Sequence, residues 1–269
     1  MSTDSSSKPP IVLVHGLWLH AESWKPWIEF FQEHGYEATA ANWPGDAPTT
    51  ALTRQNPEPV ANRGVAEIAD HIARQIQLLD RKPVLIGHSF GGLLVQNLLG
   101  RGLAAAAIAI DPAPIKGVRE LPLKALKAAF PVLSNPFNVS KAVSLTPAQF
   151  RFGFANAVSA AEAQALYERY AMPAPARPIF QAATAMLNPQ AQTAVNVSRA
   201  DRGPLLFMSG ECDNTVPPVL VQSAFQKYSR SSAQTELKSF AGRGHSLVID
   251  SGWKELAEYS LDWIKTNKL

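Results

Sequence analysis

Residues 85–96 read LIGHSFGGLLVQ. An apolar run, Pro83 to Ile86, enters Gly87-His88-Ser89-Phe90-Gly91-Gly92, and Phe90 to Leu99 follows as an apolar helical stretch stopped by Gly100. The serine therefore sits on a strand-to-helix turn, with a glycine two residues away on either side. Such a serine has two readings. Its hydroxyl caps the helix by accepting an N–H, or the turn exists to present that hydroxyl. In the second case Gly87 to Gly91 is a G-x-S-x-G turn, in which a strained serine projects above the strand end and the glycines prevent collisions. The N–H of Phe90 then lies at a helix start, where developing negative charge is favoured.

Outward from this turn, short apolar strands alternate with amphipathic helices. Ile11 to Val14 reads as a strand, and Glu22 to His34 as a helix with Trp24, Trp27, Ile28 and Phe31 at helical spacing, ended by Gly35. Tyr36 to Ala41 reads as the second strand, followed by the turn Asn42-Trp43-Pro44-Gly45-Asp46 and a loop to Asn62. Val65, Ile68, Ala69, Ile72, Ala73, Ile76 and Leu79 mark a long helix. Ala104 to Ile110, Leu205 to Ser209 and Thr235 to Phe240 complete the strands, with helices at Val219 to Tyr228 and Trp253 to Ile264. This alternation predicts an α/β fold with a mainly parallel central sheet of about six strands flanked by helices. It lapses between residues 112 and 203, where proline-divided helical patches occur (Pro122–Phe130, Pro147–Val158, Ala160–Tyr170, Pro178–Leu187) and no strand is evident. The reading is a core domain of residues 1–111 and 204–269, and a helical cap insertion of 112–203 over the C-terminal edge of the sheet, where α/β ligand sites form.

Composition bounds the partners. The chain has 269 residues, 46% of them apolar, and a formal charge of only +3, its surplus basic residues reading as scattered along the chain. Neither a nucleic-acid stripe nor a polybasic anchor is expected. No apolar run approaches a membrane span. Residues 1–10 are polar and unlike a signal peptide, and the single Cys212 precludes an internal disulfide, so a cytoplasmic protein is expected.

A serine nucleophile needs a base, and the base needs an acid to orient it. Of six histidines, His34 reads as a helix end and His71 as part of an amphipathic helix, while His88 adjoins Ser89 and points elsewhere. His245 lies in Gly242-Arg243-Gly244-His245-Ser246, a loop after the last strand that returns it to the sheet's C-terminal edge. For the acid, Asp213 follows the fifth strand after a turn, and Asp111 directly follows the fourth and is the rival. Asp201 and Asp250 read as solvated loop residues. The order Ser89, Asp213, His245 matches the Ser…Asp…His order that accompanies the G-x-S-x-G turn. After the first strand, His15-Gly16-Leu17-Trp18 offers the N–H of Leu17 as a second oxyanion donor. His15 reads as a loop histidine bonded to backbone, and Trp18 as either pocket wall or packing.

Together these motifs resemble the α/β-hydrolase superfamily over roughly Pro10 to Ile264, in the serine-nucleophile, capped, carboxylesterase-like form. The resemblance implies a Ser89–His245–Asp213 triad, an oxyanion hole from the Leu17 and Phe90 N–H groups, and His15, Gly16, Trp18, His88 and Asp111 in supporting or pocket positions. Two departures stand out. Only ten residues precede the first strand, which trims the sheet, and Asn42 to Asp46 replaces the Gly-His-Gly loop of many members. Members that open epoxides or carbon–halogen bonds carry aspartate at the elbow, so Ser89 favours acyl transfer. The expected substrate is a small or medium carboxylic ester with an apolar portion. Lactones, thioesters, perhydrolysis, carbon–carbon hydrolysis and a non-catalytic receptor of the same fold are the alternatives. No metal or dinucleotide motif appears, and neither a metal nor a cofactor is expected.

Overall fold

The computed structural model describes residues 8–269, so residues 1–7, and with them most of the polar N-terminal reading, lie outside the described residues. Ile11–Val14 (β1), wholly buried, leads through Lys25–Glu33 (α1) to Ala38–Ala41 (β2). Thr50–Gln55 (α2) and Val65–Ile76 (α3) follow, then Val84–His88 (β3), Phe90–Gly100 (α4) and Ala106–Ile110 (β4). The next segment carries Leu123–Leu133 (α5), Ala142–Val143 (β5), Pro147–Gly153 (α6), Ala160–Tyr170 (α7), Ala174–Pro175 (β6) and Arg177–Ala183 (α8). Leu205–Gly210 (β7), Pro218–Lys227 (α9), Thr235–Phe240 (β8) and Trp253–Thr266 (α10) close the chain.

The six long strands form one sheet in the order β2-β1-β3-β4-β7-β8, every neighbouring pair parallel. Strands β3 and β4 are buried along their whole length, as expected when helices cover both faces. The first crossover runs outward from β1 to β2, and the later ones run the other way from β3. The order therefore reverses between β1 and β3, which opens a crevice at their C-terminal ends. Helix α4 fills the layer behind that crevice, with ten of its eleven residues buried. Gln96, its one buried polar side chain, is satisfied by donating to Gly92 O and accepting from the Tyr228 hydroxyl.

Two expectations are corrected. The loop expected after Asp46 contains α2, whose six residues are too few to show a period and whose start is set by Thr49 Oγ1 accepting from Leu52 N. The cap segment is not purely helical: β5 and β6 pair as an antiparallel ribbon of two residues per strand, too short to alternate visibly. Helix α5 also runs on through Pro131 to Leu133, because a proline in the last turn removes an N–H without breaking the turns before it. Among the described residues no helix is long and apolar enough to cross a membrane.

Candidate active site

Three non-glycine residues at the C-terminal sheet edge have left-handed backbone: Trp18 beyond β1 (φ 63°), Ser89 after β3 (φ 56°) and Asp111 after β4 (φ 40°). Each costs of order 1–3 kcal/mol and persists only where its surroundings enforce it. Around Ser89 the enforcement is direct. A Cβ at Gly91 would lie 2.1 Å from Val14 O, one at Gly87 2.2 Å from Gly91 O, and one at Gly16 2.7 Å from the Ser89 Cβ. Backbone thus approaches backbone where only glycine fits, and β1, β3 and α4 close on one point. Ser89 N donates to Ile110 O, and Ser89 O accepts from Ala113 N, both at 2.9 Å. The hydroxyl makes no capping bond to α4, which removes the capping reading of this serine. The loop after β1 abuts the turn: the Cβ position of Gly16 is 3.4 Å from Phe90 N.

His245 is fully buried, and its Nδ1 donates to Asp213 Oδ2 at 2.5 Å. Asp213 Oδ1 accepts from Thr215 N at 2.7 Å and Val216 N at 2.8 Å, so both carboxylate oxygens are engaged and the side chain is fixed. With the proton on Nδ1, the Nε2 of His245 is left with a lone pair, and it has no hydrogen-bond partner among the described residues. Such a nitrogen can accept a proton in a dry site.

Asp111 lies beside this pair. Donor atoms of Asp111, Asp213 and His245 all fall within 4.8 Å of one another. Asp111 Oδ1 accepts from Gly210 N at 2.8 Å. Burial, followed by the charge and hydrogen bond of Asp213, holds the Asp111 carboxyl well above the usual carboxylate range. A second buried negative charge beside Asp213 is disfavoured, so Asp111 holds its proton more tightly than a free carboxyl does.

Asp111→Asn tests this directly. The folded carboxyl binds its proton more tightly than the unfolded one, so stability falls as pH rises past the unfolded pKa of about 4. The amide keeps the donor and avoids that loss. The variant is expected to melt above the parent at pH 7, with the advantage vanishing near pH 4; a lower melting temperature at pH 7 would contradict the neutral assignment.

His88 is also fully buried, its ring 4.5 Å from that of His245. Burial, then the nearby His245, depresses its pKa well below the ordinary imidazole value, so it packs as a neutral ring. His15 bonds backbone as expected, through Nδ1 to Gly16 O at 2.9 Å, and its Nε2 meets Asp46 at 3.1 Å. Its ring stacks on Trp43 at 4.9 Å, so the Asn42 to Asp46 turn buttresses the Gly16–Leu17 loop. Asp250 corrects the sequence reading: it is buried, accepting from Arg243 at 2.5 Å and from the Ser246 hydroxyl at 3.1 Å, and it braces the His245 loop. The sequence reading missed it because the partner guanidinium of Arg243 is brought to it only by the fold of the loop.

The cap segment seals the site. Phe154 meets the His245 ring edge-on at 4.7 Å, and Ser246 N donates to Phe154 O at 2.9 Å. Asn156 Nδ2 donates to Cys212 O, Asn214 Nδ2 to Phe152 O, and Thr215 Oγ1 to Gly153 O. Trp18 proves to be a strap as well as packing: its Nε1 donates to Val143 O at 3.0 Å, and its O accepts from Met172 N at 3.0 Å. Ser89 is consequently only 5% exposed. Beyond Met172 lies a cleft of about 410 Å³, lined also by Arg54, Leu145 and Tyr167.

Known proteins share this architecture. An extracellular alpha/beta-hydrolase from a Paenibacillus species superposes with a TM-score of 0.68 at 20% identity, over 94% of this chain and 98% of that one. The monoacylglycerol lipase of Paleococcus ferrophilus gives 0.66 at 21% identity, over 97% and 96%. In sequence, the (E)-2-((N-methylformamido)methylene)succinate hydrolase of Acinetobacter baylyi is 36% identical over 90 residues, which is 33% of this chain. The match thus spans about a third of that relative, 31% of its length. The sequence model of the alpha/beta hydrolase family matches residues 11–259, and the chain belongs to that family.

Proposed function

We propose that the chain is a serine hydrolase of carboxylic esters with an apolar portion, built as a core of residues 1–111 and 204–269 and a cap of 112–203. Ser89 attacks the ester carbonyl while His245 Nε2 takes its proton, and Asp213 holds the imidazole tautomer and stabilises the imidazolium that forms. The N–H groups of Leu17 and Phe90 receive the oxyanion. His245 then gives its proton to the leaving alcohol, and water activated by the same imidazole cleaves the acyl-enzyme. The observation that carries this reading is the Asp213–His245 bond of 2.5 Å, which leaves the buried Nε2 without a hydrogen-bond partner among the described residues, together with the strained backbone of Ser89 after β3.

The resemblance to a monoacylglycerol lipase supports an ester substrate. The succinate derivative named for the Acinetobacter relative is a dicarboxylate and would call for cationic groups. The rings packed on His245, neutral His88 and Phe154, and Trp18 set against Phe154, are aromatic and bear no positive charge. They favour an apolar acyl group. The cleft beyond Met172, which Arg54 also lines, is the proposed approach to Ser89.

A series of p-nitrophenyl esters from acetate to decanoate tests the reading. Hydrolysis is expected, with kcat/KM rising from acetate through the medium chains as apolar surface is buried, about threefold to fourfold per methylene. Absence of turnover across the series would overturn it and leave the receptor reading standing.

A further inference from the structure

The cap carries an inverted helix. A surface helix normally turns its large apolar residues inward. In α5 the half-buried or buried positions are Ala125, Ala128, Ala129, Pro131, Val132 and Leu133, while Leu123, Leu126 and Phe130 are 83%, 43% and 65% exposed. These three recur at i, i+3 and i+7 and share one face. The short turn Pro136–Ser140 folds back on the helix, with Asn138 Nδ2 donating to Val132 O, and adds Phe137 at 77% exposure. Leaving so much large apolar surface in water signals an interaction site.

The charge around this face identifies what covers it. Residues 115–151 hold six basic residues against one acidic, a net of +5, whereas the whole chain carries only +3. The surplus that reads as scattered along the sequence is concentrated in this segment. Lys124 and Lys127 stand exposed on α5 itself, among the apolar residues. An exposed apolar stripe rimmed by lysines is the composition of a helix that lies in a membrane interface. A second copy of this chain fits poorly, because a two-fold contact would press two faces of +5 together.

We propose that α5 and the adjoining turn dock on an anionic lipid bilayer, with Leu123, Leu126, Phe130 and Phe137 entering the headgroup–acyl boundary and the basic residues facing the lipid charges. The inner side of the same helix rests on the segment that covers His245: the Cβ position of Gly153 is 3.8 Å from Ala128 Cβ. The docked face thus lies one layer from the proposed site. Binding requires no turnover, so the proposal stands or falls separately from the ester reading.

Flotation with phosphatidylcholine vesicles, with and without phosphatidylglycerol, tests it on the full chain. The wild type is expected to float with the phosphatidylglycerol vesicles at low salt and to be released as salt rises. Lys124→Glu with Lys127→Glu should weaken partitioning about tenfold or more. Leu123→Ser with Phe130→Ser should remove it even at low salt, while Leu78→Ser, at a position 85% exposed beyond α3, should match the wild type. All of these are surface changes, and melting temperatures close to the parent's would show that folding is intact. No flotation of the wild type at low salt would overturn the proposal, as would equal flotation of all variants. A dimer in light scattering that Leu123→Ser with Phe130→Ser dissolves, without vesicle binding, would assign the face to a second copy instead.

Discussion

Ser89→Ala is expected to lower ester turnover by about 10⁴-fold or more while leaving the fold intact. In the proposed mechanism the loss is large because the Ser89 hydroxyl forms the acyl-enzyme, and without it the proposed oxyanion donors and base have nothing to activate except water. The fold should survive because the Ser89 hydroxyl caps nothing in α4. The left-handed backbone at this position is set by glycine contacts and by Ile110 O and Ala113 N, all of which alanine keeps. Burst kinetics and a melting curve decide it. A variant that retained a tenth of the parent activity would remove Ser89 as nucleophile, and one that failed to melt cooperatively would mean that the hydroxyl is structural.

Asp213→Asn is expected to cost about 10³- to 10⁴-fold in kcat. The amide would present its NH₂ or its oxygen to His245 Nδ1. The NH₂ would force the imidazole proton onto Nε2, where it blocks Ser89, and neither orientation offers the charge that stabilises an imidazolium. The Thr215 and Val216 N–H groups now directed at Oδ1 favour the amide oxygen on their side, which turns the NH₂ toward His245. Asp111→Asn is the paired experiment. Because Asp111 is already neutral, its amide should leave kcat within about threefold of the parent. The reverse pattern, a crippled Asp111→Asn and a nearly silent Asp213→Asn, would move the acid to the fourth strand of the sheet.

Much of this architecture was legible because sheet edges punctuate sequence. Gly87 and Gly91 mark a turn that the backbone contacts demand, and Gly242 to His245 returns a histidine to the same edge after the last strand. The alternation of apolar strands with helices was readable from Ile11 to Ile110 for the same reason: each element buries a face and must advertise it. What was not legible depended on long-range partners. Arg243 and the Ser246 hydroxyl bury Asp250, whereas Asp201 pairs with Arg199 and stays in water. Phe154 is one aromatic among many in the cap until the bond from Ser246 N seats it on His245. Trp18 reads as wall or packing, and only the fold reveals Val143 and Met172 as the groups it ties down. Helix α5 shows apolar periodicity in sequence, but the sequence cannot say that the periodic face points outward.

The most direct measurement is labelling with a fluorophosphonate, followed by mass spectrometry of the peptide that contains residues 85–96. A nucleophilic serine beside a general base displaces fluoride and keeps the phosphonyl group. A single adduct is expected, on Ser89, that forms in the wild type, falls sharply in Asp213→Asn and His245→Ala, and persists in Asp111→Asn. An unlabelled Ser89 in folded protein, or labelling independent of His245, would contradict it.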